Sequence, residues 1–312
     1  MSDTVPPVME MSAREKEILK IVLGGESIVD DSQLFLSSEE EVDRFLKINE
    51  YDVNLPKDRD RLLDIQSEAA GYLKNYLHFD LPQSLTRPAR LSDILLAASQ
   101  LEDQKLQRLA CPLLKTMNTI AHIDGRELLF SSSIRRRDLA HLAQDKIERE
   151  LFTLTKKGIP HLKYKGGRKQ RESLITKLLS KENSLDGSIG DRLRYRVVVP
   201  TKEEVVRVIL HLFETILPYN MVIPGASKNE IIGLKAGTGG TYKVLEFQAE
   251  IPLRLDGFLG SLDAPIASLG RITYLRVEFQ IVDEETDRQN SQVDYASYKE
   301  RQRKDVAGRL SG

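Results

Sequence analysis

Residues 271–282 read RITYLRVEFQIV. Leu275, Val277, Phe279 and Ile281 occupy every second position, and Tyr274, Arg276, Glu278 and Gln280 lie between them. A period of two sends the first set to one face of a strand and the second set to the other. The stretch is therefore a strand of a sheet with one buried face and one face carrying acid, base and amide groups. Residues 242–252 repeat the pattern: Leu245, Phe247, Ala249 and Ile251 against Tyr242, Glu246, Gln248 and Glu250. Residues 193–199, LRYRVVV, form a third such strand, with Arg194 and Arg196 on one face. If the three neighbour one another, acids and bases line one open surface.

Working upstream, the pattern changes from two to 3.6. Ser12 followed by Glu15 is a capping box, and Gly24-Gly25 ends that helix. Ser38 opens a short helix with Val42, Phe45 and Leu46 on one side. Residues 57–77, 92–101, 104–122 and 134–157 carry apolar stripes of helical spacing. Thr201 with Glu204 caps another helix, running to about Leu217. The fold class expected is α+β: an all-helical N-terminal domain, residues 1–157, then a mixed β-sheet domain flanked by helices, residues 158–312. Lys157-Gly158-Ile159-Pro160 marks the boundary.

Composition excludes several functions. The 46 Lys and Arg against 47 Asp and Glu give a net charge of −1, so a general grip on DNA or anionic membrane is not expected. One cysteine, Cys111, makes no internal disulfide or zinc ribbon, and the five histidines lack metal-ligand spacing. No apolar run spans a membrane, and the N-terminus lacks the features of a signal peptide, so a cytoplasmic location is expected.

Local chemistry concentrates in four places. Residues 163–181, KYKGGRKQRESLITKLLSK, hold seven Lys and Arg and one Glu, with Gly166-Gly167 read as a loop feeding a helix. On that helix Lys169, Ser173, Lys177 and Lys181 recur every four residues and share a face, which suits either a solvated surface or a polyphosphate. The polar sheet face is the second place. Asp191, at the entry to LRYRVVV, suits either a turn or a Mg²⁺ ligand. The glycines 237, 239 and 240 before Tyr242 lack P-loop spacing and read as a flexible connection.

The order of these pieces resembles the RelA/SpoT-type alarmone synthetase domain, a nucleotidyltransferase-like fold, over roughly residues 158–300. RKQRESLITK resembles its basic ATP-binding helix, and DRLRYRVVV its Asp-x-x-x-x-Arg strand entry. KNEII resembles its Lys-Asp-Tyr-Ile segment, GTYKVLEF its Gly-Tyr-Arg-Ser-Leu-His segment, and EFQI its Glu-x-Gln-Ile strand. The family moves pyrophosphate from ATP to the 3′-hydroxyl of GDP or GTP. The resemblance implies that Arg168, Lys169, Ser173, Lys177 and Arg196 hold ATP, and that Asp191 and Glu278 are the catalytic acids and Mg²⁺ ligands. It implies that Lys228 and Tyr242 serve the acceptor. Val244, Glu246 and Val282 stand where the family has Ser, His and Arg, and Thr241 splits its Gly-Tyr pair. All four departures fall on or beside the acceptor side. The resemblance thus implies a Mg²⁺-dependent pyrophosphokinase-like enzyme whose partners are ATP and a nucleotide or RNA acceptor, and the departures put GDP and GTP in question as that acceptor. A non-catalytic nucleotide sensor and a modifier of the 3′ end of an RNA such as tRNA are the alternatives. The helical half offers His122-Ile123-Asp124 rather than an adjacent His-Asp pair, so it is read as a regulatory or docking domain, not as the family's companion hydrolase.

Overall fold

The computed structural model describes residues 11–24, 36–99, 103–132, 134–168, 172, 175–176, 179, 193–218, 221–223, 225–231, 243–258, 266, 268–292 and 295–311. Helices come first: α1 (Ala13–Gly24), α2 (Glu39–Ile48), α3 (Pro56–Asn75), α4 (Gln83–Thr86), α5 (Leu91–Ser99), α6 (Gln104–Ser131) and α7 (Arg136–Lys157). A mixed sheet and its flanking helices follow: β1 (Lys163–Arg168), β2 (Leu193–Val199), α8 (Lys202–Thr215), β3 (Lys228–Asn229), β4 (Leu245–Arg254), β5 (Ile272–Asp283), α9 (Glu284–Gln292) and α10 (Tyr295–Ser311). The fold is α+β, in the order the sequence patterns imply.

The helix starts are chemical. Ser12 N donates to Glu15 Oε2 at 2.7 Å, and Glu15 N donates back to Ser12 Oγ at 3.2 Å. Thr201 and Glu204 make the same reciprocal pair at 2.9 and 3.4 Å at the start of α8. Each box satisfies two backbone donors that the first turn leaves open.

The strand order is β1-β2-β5-β4-β3. Among the described strands β2 and β5 run parallel, and the other neighbours are antiparallel. Tyr195, Phe279 and Phe247 lie side by side on the buried face, with ring centroids 6.0 and 5.2 Å apart. Phe213 of α8 closes over Phe247 at 5.7 Å. One apolar cluster runs from Ile18, Leu73 and Leu128 of the helices into this aromatic row. Truncating any of these large side chains to Ala costs about 2–5 kcal/mol.

Two expectations fail, both at glycines. Gly166-Gly167 is not a loop: both residues lie within β1. Gly166 pairs with Tyr195, whose ring occupies the place of a Cβ: an added Cβ would lie 2.0 Å from it. The helix expected over 104–122 continues to Ser131, through Gly125. Gly125 is where α6 meets β5. A Cβ there would lie 2.8 Å from the Tyr274 ring and 2.9 Å from the Ile272 carbonyl oxygen. Thr273 Oγ1 donates to the Gly125 carbonyl at 2.7 Å. Tertiary contact outweighs the weak helix propensity of glycine.

Candidate functional site

The polar sheet face is organised by register. Lys165 pairs with Arg196, Arg196 with Gln280, Gln280 with Glu246, and Glu246 with Lys228. Paired residues project to the same side, so one polar row crosses all five strands. The adjacent row runs Gly167, Arg194, Glu278, Gln248. Arg196, Glu278 and Lys228, three of the residues implied by the resemblance, therefore share one face. Arg168 pairs with Leu193 and belongs to the opposite side of the sheet. Lys169, Ser173, Lys177, Asp191 and Tyr242 lie outside the described residues. Glu172, Ile175, Thr176 and Leu179 are helical, and Thr176 Oγ1 donates to the Glu172 carbonyl at 2.9 Å.

Glu278 is buried and anchored. Arg194 Nε lies 2.9 Å from its Oε1, and Gln280 Nε2 donates to the same oxygen at 3.2 Å. The same Gln280 nitrogen donates to Glu246 Oε2 at 2.6 Å. One amide thus holds two carboxylates, one from each of two neighbouring strands. Arg196 Nη1 donates to Gln280 Oε1 at 3.5 Å, which fixes which end of the amide faces the acids. On β3, Lys228 Nζ lies 3.0 Å from Glu230 Oε1. Glu230 Oε2 and Ser227 Oγ, on either side of Lys228, are buried without a hydrogen-bond partner.

The face is not open throughout, as the sequence pattern implied. Helix α6 covers the end that holds Tyr274, Arg276 and Glu250. His122 Nε2 lies 2.6 Å from Glu250 Oε2, and Arg126 Nη2 lies 3.2 Å from Oε1. Burial pushes the Glu250 carboxyl up. The hydrogen bond from His122 and the charges of His122, Arg126 and Arg276 outweigh it and hold the group below the usual carboxylate range. Asp124 pairs with Arg61, so both polar members of the His122-Ile123-Asp124 triplet are engaged in ion pairs. At the other end α9 borders the face, through Asp287 on Arg196.

Among the described residues no three His, Cys, Asp or Glu side chains converge to hold a metal. Mg²⁺ at a nucleotide site needs only one or two carboxylates, the rest being phosphate oxygens and water. Glu278, a hard oxygen donor held in place by Gln280 and Arg194, fits that requirement as one such carboxylate. Lys165 and Asp287 are the site residues that sequence reasoning missed. Lys165 lay in a stretch read as a loop, and Asp287 lies in a helix with no apolar stripe.

No family model matches the chain, and no curated protein does. Solved structures do match. Small alarmone synthetase 1 from Bacillus subtilis, bound to its product pppGpp, is 16% identical, with a TM-score of 0.37, over 55% of this chain and 86% of that one. The chain is similar in structure to small alarmone synthetases. Small alarmone synthetase 2 from the same organism gives 17% identity and a TM-score of 0.38, over 57% of this chain and 92% of that one. A GTP pyrophosphokinase family protein from Streptococcus pneumoniae gives 16% and 0.36, over 54% and 82%. Among the described residues no helix is long and apolar enough to cross a membrane.

Proposed function

We propose that the chain is a Mg²⁺-dependent pyrophosphokinase-like enzyme that moves the β,γ-pyrophosphoryl group of ATP to an acceptor 3′-hydroxyl. The observation that carries this reading is the cross-strand register that puts Arg196, Glu278 and Lys228 on one sheet face. Arg196 would hold the phosphates of the donor with Lys169, Ser173 and Lys177; Arg168, which the resemblance adds to that set, faces the other side of the sheet and is left out of it. Lys228 and Tyr242 would serve the acceptor. Asp191 and Glu278 would hold Mg²⁺, which supplies charge neutralisation on the transferred group.

In the reaction the acceptor 3′-oxygen bonds to the β-phosphorus as the bond from that phosphorus to the α,β-bridging oxygen breaks. AMP leaves with the bridging oxygen, and the acceptor proton passes to Glu278. Arg194 keeps the Glu278 carboxylate in place, and Gln280 sets its orientation. Chemistry of this kind is mostly positioning and charge stabilisation, which a rigid strand surface provides. The helical half, we propose, regulates the sheet half or docks a partner.

The test is incubation of the pure chain with γ-³²P-ATP, Mg²⁺ and a panel of GDP, GTP, AMP and bulk tRNA. Label moving to one acceptor supports the reading and names the acceptor class. Tight ATP binding with no transfer to any of them makes the chain a nucleotide sensor.

A further inference from the structure

Arg196 is central to the five-strand polar row, yet its guanidinium is engaged from within the chain. Its Nε donates to Asp287 Oδ1 at 3.1 Å, and its Nη2 donates to the same oxygen at 2.6 Å. Asp287 lies in α9, which continues β5 without a break. That helix has other fastenings. Asp283 caps it, accepting from Thr286 N at 3.0 Å and from Thr286 Oγ1 at 2.6 Å. Glu284 pairs with Lys163 at 2.9 Å. Asn290 clasps the Lys243 backbone from both sides, at 2.8 and 2.6 Å. Of these contacts among the described residues, the Asp287 one draws on a cation of the polar row.

The pair is not sealed in the core: the Arg196 and Asp287 side chains are 27% and 35% exposed. A carboxylate oxygen and a phosphate oxygen make the same charge-assisted bonds to a guanidinium. Asp287 therefore holds a position that a phosphate oxygen would take. We propose that Asp287 is an internal carboxylate strap: a phosphate-bearing ligand must displace it from Arg196, and α9 thereby restrains binding at the polar row. The inference rests on the proposed role of Arg196 in holding the donor. A strap that must open lowers apparent affinity by the fraction of molecules already open.

The sign of the effect separates a strap from a fixture. Calorimetry on the full chain, with Mg-ATP and with inorganic pyrophosphate, compares wild type, Asp287→Asn, Asp287→Ser and Glu284→Gln. Both Asp287 variants are expected to bind each ligand about fivefold more tightly, the factor that a partly exposed ion pair supplies. The Asp283 cap and the Asn290 clasp keep the fold, so thermal unfolding stays cooperative. Glu284→Gln, which breaks only the Lys163 pair, is expected to match wild type. Unchanged or weaker binding by the Asp287 variants overturns the proposal, and so does a lack of measurable binding to every protein. If the Asp287 variants bind pyrophosphate more tightly while none of the proteins transfers label from ATP, the strap stands and the transferase reading falls.

Discussion

His122 and Glu250 are 128 positions apart in sequence, and their side chains meet at 2.6 Å where α6 crosses the sheet. The same imidazole stacks on Tyr274, with ring centroids 4.1 Å apart and planes 10° from parallel. Through this contact the helical half grips the two strands, β4 and β5, that carry Glu246 and Glu278 a few residues away.

Because the folded state holds Glu250 below the ordinary glutamate value of 4.5, the carboxylate form is favoured by folding. That stabilisation is fully present above the ordinary value and is lost as pH falls through the lower folded one. Urea unfolding between pH 7 and pH 3 is expected to show wild type losing stability in that acid window. Glu250→Gln should be less stable at pH 7 and should lose less on acidification. Equal pH slopes for the two proteins would contradict this.

Gly166→Ala places a methyl group inside the Tyr195 ring. The ring is fully buried and packed on Phe279, so the edge strand must shift. A loss of about 1–3 kcal/mol is expected, read as a lower midpoint in chemical denaturation. A loop at this position would tolerate the change.

The strands were legible because one of their faces must be buried, which leaves a period of two in LRYRVVV, LEFQAEI and ITYLRVEFQI. The helix starts at Ser12 and Thr201 were legible because a capping box is local chemistry. Strand β1 was not, since KYKGGR has neither β-branched residues nor alternation, and only Tyr195, 29 positions on, explains Gly166. Helix α9, EETDRQNSQ, has no apolar face; its acidic first turn after Asp283 is the one local sign of a helix start. The shared face of Arg196, Glu278 and Lys228 depends on strand order, which no local pattern encodes.

Arg194→Ala removes the cation from a carboxylate that is almost wholly buried. An uncompensated buried charge costs about 3 kcal/mol or more. The variant is expected to unfold at clearly lower urea, and pairing it with Glu278→Gln should recover much of the loss. A double variant as unstable as the sum of the two singles would show that the ion pair is not what holds Glu278.

GDP is expected to be a poor acceptor. Val244 and Val282 are buried at 2% and 0% exposure and offer a ligand no polar group, and Glu246 adds a carboxylate to the acceptor side. Each lost charge-assisted contact costs about 1.5–3 kcal/mol, so two remove roughly 100-fold in affinity. Thin-layer separation after incubation with ATP and micromolar GDP should show little or no guanosine alarmone. Robust formation would mean that Lys235 or Lys243 replaces the missing charges, since Arg254 is held by Asp58 at the far end of β4.

The proposed donor residues have their own test. Lys169→Ala combined with Lys177→Ala should weaken ATP binding by about tenfold or more, since two charge-assisted contacts are removed. Unchanged affinity by calorimetry would mean that these two lysines do not hold the donor.

Acceptor-stimulated release of AMP from ATP, compared in wild type and Glu278→Gln, tests the central claim most directly. The account predicts AMP release that rises when the right acceptor is added, needs Mg²⁺, and falls at least about 100-fold in the variant while ATP still binds. AMP release that is absent under every acceptor, or that is equal in Glu278→Gln, would contradict it.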